Sequence, residues 1–129
     1  MLTTCCYVIS NTFQSMSDFG AMISITKKDK TAFSEEEFTK IEQIVRYYKE
    51  NCRYKNAIGD PFHFGVGKTQ APGDPVFYEV NILLSEYWGD AEMFTWHKET
   101  DLKDAQLILN ELKPSFPEDY LVRTYFEWW

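Results

Sequence analysis

Hydrophobic and polar residues alternate along most of this chain, and two stretches replace the alternation with helical spacing. Val76, Tyr78, Val80, Ile82 and Leu84 fall on one face of a long strand, and Phe77, Glu79, Asn81, Leu83 and Ser85 fall on the other. Shorter runs predict strands over residues 22–26, 62–66 and 120–126, and a β-branched segment over residues 3–9 reads as one more. Gly89-Asp90 has the composition of a turn, which makes residues 93–97 the second arm of a hairpin. Residues 71–75, Ala-Pro-Gly-Asp-Pro, form a loop.

The clearest local signal is Phe33-Ser34-Glu35-Glu36-Glu37-Phe38. Ser34 suits an N-cap, Glu37 sits where its side chain reaches back to the cap amide, and Phe33 and Phe38 occupy the two hydrophobic staple positions. Phe38, Ile41, Ile44, Val45 and Tyr48 then repeat at helical spacing, so a helix runs to about residue 51 or 52. A second helix is read over residues 101–113 from Ala105, Ile108, Leu109 and Leu112, and Pro114 ends it.

This order of elements predicts an α+β fold in one domain spanning residues 1–129. A single, mostly antiparallel sheet of five to six strands carries two helices packed on one face. The other face is then open. By the strand phases it displays Phe77, Glu79, Asn81, Arg123, Tyr125 and Glu127, with His63 nearby, a mixture too aromatic for idle surface and too acidic for a core.

Charge sharpens this picture. Up to Gln70 the chain has 9 Lys and Arg against 8 Asp and Glu, and beyond it 4 against 12, so the net charge of -7 belongs to the C-terminal part. Aromatic residues, 17% overall, crowd the same part in Glu86-Tyr87-Trp88-Gly89-Asp90, Glu92-Met93-Phe94-Thr95-Trp96 and Tyr125-Phe126-Glu127-Trp128-Trp129. Carboxylates among large rings suit docking of a basic protein, the charges steering encounter and the rings supplying buried area. The candidate partner-binding set is therefore Phe77, Glu79, Asn81, Tyr87, Trp88, Asp90, Glu92, Tyr125 and Glu127. A sequence pI near 4.8 argues against nucleic acid or anionic membrane as the partner.

No constellation for catalysis accompanies this surface, and the expectation is a protein that is not an enzyme and needs no cofactor or metal. Gly65-Val66-Gly67-Lys68-Thr69 resembles a phosphate loop only in its end: Phe62 stands where the first glycine belongs, and a Pro- and Gly-rich loop replaces the helix that should follow. Cys5, Cys6, Cys52, His63 and His97 lack the short spacings of a metal knuckle. An odd number of cysteines, an N-terminus without a cationic lead and long apolar run, and no membrane-length apolar segment are read as a soluble, cytoplasmic protein with reduced thiols.

This profile is expected of a stoichiometric inhibitor, first of all an immunity protein that neutralises a cognate toxin such as a basic nuclease. The alternatives are a phage-type inhibitor of a nucleic-acid-binding defence complex, and a small-molecule module or enzyme with a pocket lined by Tyr48, Tyr78, Trp96 and Phe126. Either a monomer or a homodimer through the open sheet face is compatible with it.

Overall fold

The computed structural model describes residues 16–129, so the expected strand over residues 3–9, with Cys5 and Cys6, lies outside the described residues. In chain order the elements are β1 (Ser17–Lys27), α1 (Glu35–Asn51), β2 (Gly65–Thr69), β3 (Glu79–Leu83), β4 (Tyr87–Gly89), α2 (Ala91–Leu112), a short 3-10 turn (Lys113–Ser115) and β5 (Tyr120–Trp128). The fold is α+β, one curled antiparallel sheet of five strands with two helices.

β1 is the central strand. Its first half pairs with β4 and its second half with β3 along one edge, while β5 runs the whole length of the other edge; β2 lies outside β3. Phe19, Ala21, Ile23 and Ile25 alternate along β1 toward the core, where they meet Val80 and Ile82 of β3, Ile41 and Val45 of α1, and Ala105, Ile108, Leu109 and Leu112 of α2. Burying the Phe, Ile, Val and Leu side chains among them contributes about 1.5–3 kcal/mol each, and that holds both helices to this face.

α1 forms as its signature predicts. The Glu37 amide donates to the Ser34 hydroxyl at 3.1 Å, and the Ser34 amide donates to the Glu37 carboxylate at 2.8 Å. Lys27 of β1 adds an ion pair to Glu37 at 2.8 Å, which together with the Ser34 contacts holds that carboxyl below its usual range. Cys52 ends the helix in an extended conformation.

Four expectations are corrected. Residues 93–97 are not a strand: α2 starts at Ala91, ten residues earlier than its apolar stripe implies, because the Asp90 side chain caps it by accepting from the Met93 amide at 3.0 Å. Phe77 is not on the open face but 2% exposed, packed against Phe33 and Phe38. The alternation holds from Val80 to Leu84 and breaks before Glu79, because Phe77 leaves the ladder to bridge Phe33 and thus exposes Val76 and Tyr78. β2 is Gly65–Thr69 instead of residues 62–66, and the Phe62 and Phe64 rings are buried ahead of it. Finally, Tyr78 and Trp96 are each more than half exposed, so they cannot line an internal pocket with Tyr48 and Phe126.

Among the described residues no helix is long and apolar enough to cross a membrane.

Candidate functional site

Strand register brings Trp88, Trp128 and Trp129 to one end of the sheet, and Trp96 of α2 packs beside it against His97, which stacks on Tyr87 of β4. β3 and β4 are two parts of one interrupted strand. At the interruption the Ser85 hydroxyl accepts from the Ala21 amide at 3.1 Å, and the Leu84 and Ser85 amides both donate to the Ala21 carbonyl. The backbone approaches so closely that a Cβ on Gly20 would lie 1.8 Å from the Ser85 carbonyl oxygen, a position only glycine can fill. Beyond the interruption, Trp88 pairs with Asp18 and Tyr87 with Phe19. On the other side of β1, Trp128 pairs with Phe19, and the Trp129 amide donates to the Asp18 carbonyl at 2.9 Å.

Strand alternation then divides the rings between two faces. Asp18, Trp88 and Trp129 share the open face, with Asp18 between the two indoles. The Trp129 ring also covers Gly20, and its indole nitrogen donates to Glu86 at 3.3 Å. On the helix face, Trp128 stacks flat on Phe94 of α2 with ring centres 4.6 Å apart, and Phe19 packs edge-on against both. Trp96 and Met93 project from the first half of α2 into solvent. Trp88 and Trp96 are 59% and 57% exposed, and Trp128 and Trp129 about 40%. Large rings left in water are a feature that interaction surfaces share.

Beneath the rings lies a buried polar cluster. His97 is 4% exposed and stacks on Tyr87 at 3.9 Å, with Trp96 and Phe19 against its other sides. Its Nδ1 has no hydrogen-bond partner among the described residues. Burial pushes its pKa below the ordinary histidine value, and the nearby Asp101 only partly opposes that shift. The Tyr87 hydroxyl donates to Asp101, and burial followed by this contact raises the phenol well above its usual range.

The expected site residues take several positions. Trp88, Glu92 and Glu127 are exposed at the tryptophan-rich end, where Glu127 stands opposite Gly20. Asp90 is at that end too, but its side chain is committed to capping α2. Tyr87 points mainly inward. Tyr125, half-buried, lies on the open face opposite Met22, one row from Glu127. Glu79 and Asn81 are on the same face further from the tryptophans: Glu79 accepts from the Ser24 hydroxyl at 2.5 Å, and Asn81 donates to the Thr69 hydroxyl at 2.6 Å. His63 is exposed, its amide bonded to the Leu84 carbonyl. Asp18, Glu86 and Trp129 were not in the expected set. Extending the alternation of β1 back from Ile23 through Phe19 would have placed Asp18 on the open face.

None of the ion pairs among the described residues lies at the acidic end. The three ion pairs among the described residues are Lys27–Glu37, Lys68–Glu35 and Arg53–Glu111, all on α1, its neighbours or the C-terminal end of α2. Asp18, Glu86, Asp90, Glu92 and Glu127 take part in none of them. Lys68, in the segment that resembles a phosphate loop, is in strand β2 and lies over the Phe38 and Phe77 rings. Among the described residues no three His, Cys, Asp or Glu side chains gather as a metal site needs.

No family model, no curated protein and no solved structure matches the chain.

Proposed function

We propose that this protein is a stoichiometric inhibitor that docks a basic protein, and specifically an immunity protein that neutralises a cognate nuclease toxin in the cytoplasm. The observation that carries the reading is Asp18 set between the exposed rings of Trp88 and Trp129, with Glu86 bonded to the Trp129 indole, Glu127 opposite Gly20, Glu92 exposed at the start of α2, and no ion pair to any of them among the described residues. A nuclease cleft is positive because its substrate is a polyanion. Carboxylates answer that charge, and tryptophans at the centre of the contact exclude water and provide its anchors.

The test is affinity capture of basic proteins from the native organism with the wild-type chain and with a Glu86→Lys/Glu127→Lys variant as parallel baits. The reading requires a nuclease retained by the first and lost from the second, and its activity must fall to zero at one equivalent of inhibitor. A retained protein that ignores the charge reversal, or a nuclease that stays active at excess inhibitor, would overturn it.

A further inference from the structure

β5 pairs with β1 along one edge over nine residues in unbroken register, and among the described residues no strand pairs with its other edge. A long edge of this kind is normally blunted by lysine, proline or a bulge. Its sequence, Tyr-Leu-Val-Arg-Thr-Tyr-Phe-Glu-Trp, has no lysine or proline.

The hydrogen-bond phase of the edge is set by its two ends. The Trp129 amide donates to Asp18, and the Lys28 amide donates to Asp119, so odd-numbered residues of β5 turn their peptide groups toward β1. By antiparallel alternation, Val122, Thr124, Phe126 and Trp128 turn theirs outward. The open-face side chains are the odd ones, and their charges follow a pattern: Arg123 and Glu127 stand symmetrically on either side of Tyr125.

We propose that this edge docks a second copy of the chain, antiparallel about a two-fold axis at Tyr125, joining two sheets into one. In that register Arg123 of each copy stands opposite Glu127 of the other, Tyr125 meets Tyr125, and Leu121 meets Trp129. Val122 exchanges backbone hydrogen bonds with Trp128, and Thr124 with Phe126. Two independent facts agree on this axis. The charge pattern centres on an odd residue, and the hydrogen-bond phase makes odd residues the non-hydrogen-bonded pairs, in which side chains approach most closely. A two-fold contact needs a self-complementary surface, and an opposite-charge pair placed symmetrically about the axis supplies it. The proposal rests on the β5 edge, which shares Glu127 and Trp129 with the tryptophan-rich end; Arg123 lies outside that end, so its variant tests the edge separately from the proposed function.

The experiment is sedimentation equilibrium on the full chain from about 10 μM to 1 mM, a range suited to the small contact of one strand edge. The wild type is compared with Arg123→Glu, with Glu127→Arg and with the double swap. Both side chains are exposed, so circular dichroism should report unchanged folds. Dimerisation of the wild type, weakened about tenfold or more in each single variant and restored in the double swap, is the expected result. A chain that stays monomeric to about 1 mM, a dimer indifferent to both single swaps, or a dimer that forms only after residues 1–15 are deleted would each overturn it.

Discussion

The Tyr87 hydroxyl donates a hydrogen bond to the carboxyl of Asp101, a side chain with no solvent exposure whose other oxygen accepts from the Ala57 amide at 2.8 Å. One carboxyl thus ties β4 to α2 and to the loop between α1 and β2. Removing the hydroxyl leaves a buried acceptor without its donor. Tyr87→Phe should therefore cost about 2 kcal/mol, and Asp101→Ala more, since it also strands the Ala57 amide. Urea denaturation measures both, and a Tyr87→Phe midpoint equal to wild type would show the bond to be idle.

His97 gives the stability a pH dependence of known sign. Its pKa is depressed in the folded state by burial, so between that lowered value and the ordinary 6.5 the unfolded chain binds the proton and the folded one does not. Stability from this group is then undiminished above pH 6.5 and lost as pH falls below it. Denaturation midpoints at pH 7.5, 6.5 and 5.5 should decline in the wild type, and His97→Phe should remove much of the decline. An identical slope in the variant would mean that another group is responsible.

Gly20→Ala should be among the most damaging small changes available. The added methyl would meet backbone at Ser85 and the Trp129 ring, and a backbone carbonyl cannot swing aside as a side-chain tip can. A loss of about 3 kcal/mol is expected, with a shift in tryptophan fluorescence as Trp129 is displaced. A variant with wild-type stability would show that the β3–β4 interruption can relax.

Charge reversal separates surface from support. Glu86, Glu92 and Glu127 are exposed and outside every ion pair among the described residues, so Lys at each should alter stability by less than about 0.5 kcal/mol while slowing association with a basic partner. Asp90→Lys differs, because it removes the cap of α2 and should cost about 1 kcal/mol. Trp88→Ala should act on dissociation, by about 2 kcal/mol if the ring anchors the contact. Stopped-flow association rates beside thermal melts distinguish the three classes, and equal behaviour of Glu92→Lys and Asp90→Lys would contradict the assignment.

At the start of α1, Ser34→Ala should cost about 1 kcal/mol, since the Glu37 amide loses its acceptor. A thermal melt unchanged within error would show the cap contributes nothing.

The features legible in the chain are those whose partners lie within a few residues. Ser34 and Glu37 bond to each other across one helical turn, and the alternation of Val80, Ile82 and Leu84 is a property of the strand itself. The same local logic placed Glu79, Asn81, Arg123, Tyr125 and Glu127 on one face; the registers of Asn81, Arg123, Tyr125 and Glu127 with β1 agree, and so does the hydrogen bond from Ser24 to Glu79. It misled wherever a distant residue chose the local state. Met93-Phe94-Thr95-Trp96-His97 is rich in strand formers, yet the Asp90 cap and the packing of Phe94 and His97 against Phe19 make it helix. Phe77 followed the alternation on paper, but bridging to Phe33 turned it inward.

By itself, then, the sequence determined the α+β class, the start of α1, the charge asymmetry and the composition of the acidic, aromatic C-terminal part, because each depends on residue type and short-range spacing. Only the tertiary structure decided that Asp18 stands between Trp88 and Trp129, that Tyr87 turns inward onto His97 and Asp101, and that among the described strands β5 pairs with β1 alone. Those relations rest on which strands flank β1 and in what register, and register is fixed by burying one face of the whole sheet at once, a condition no local segment contains.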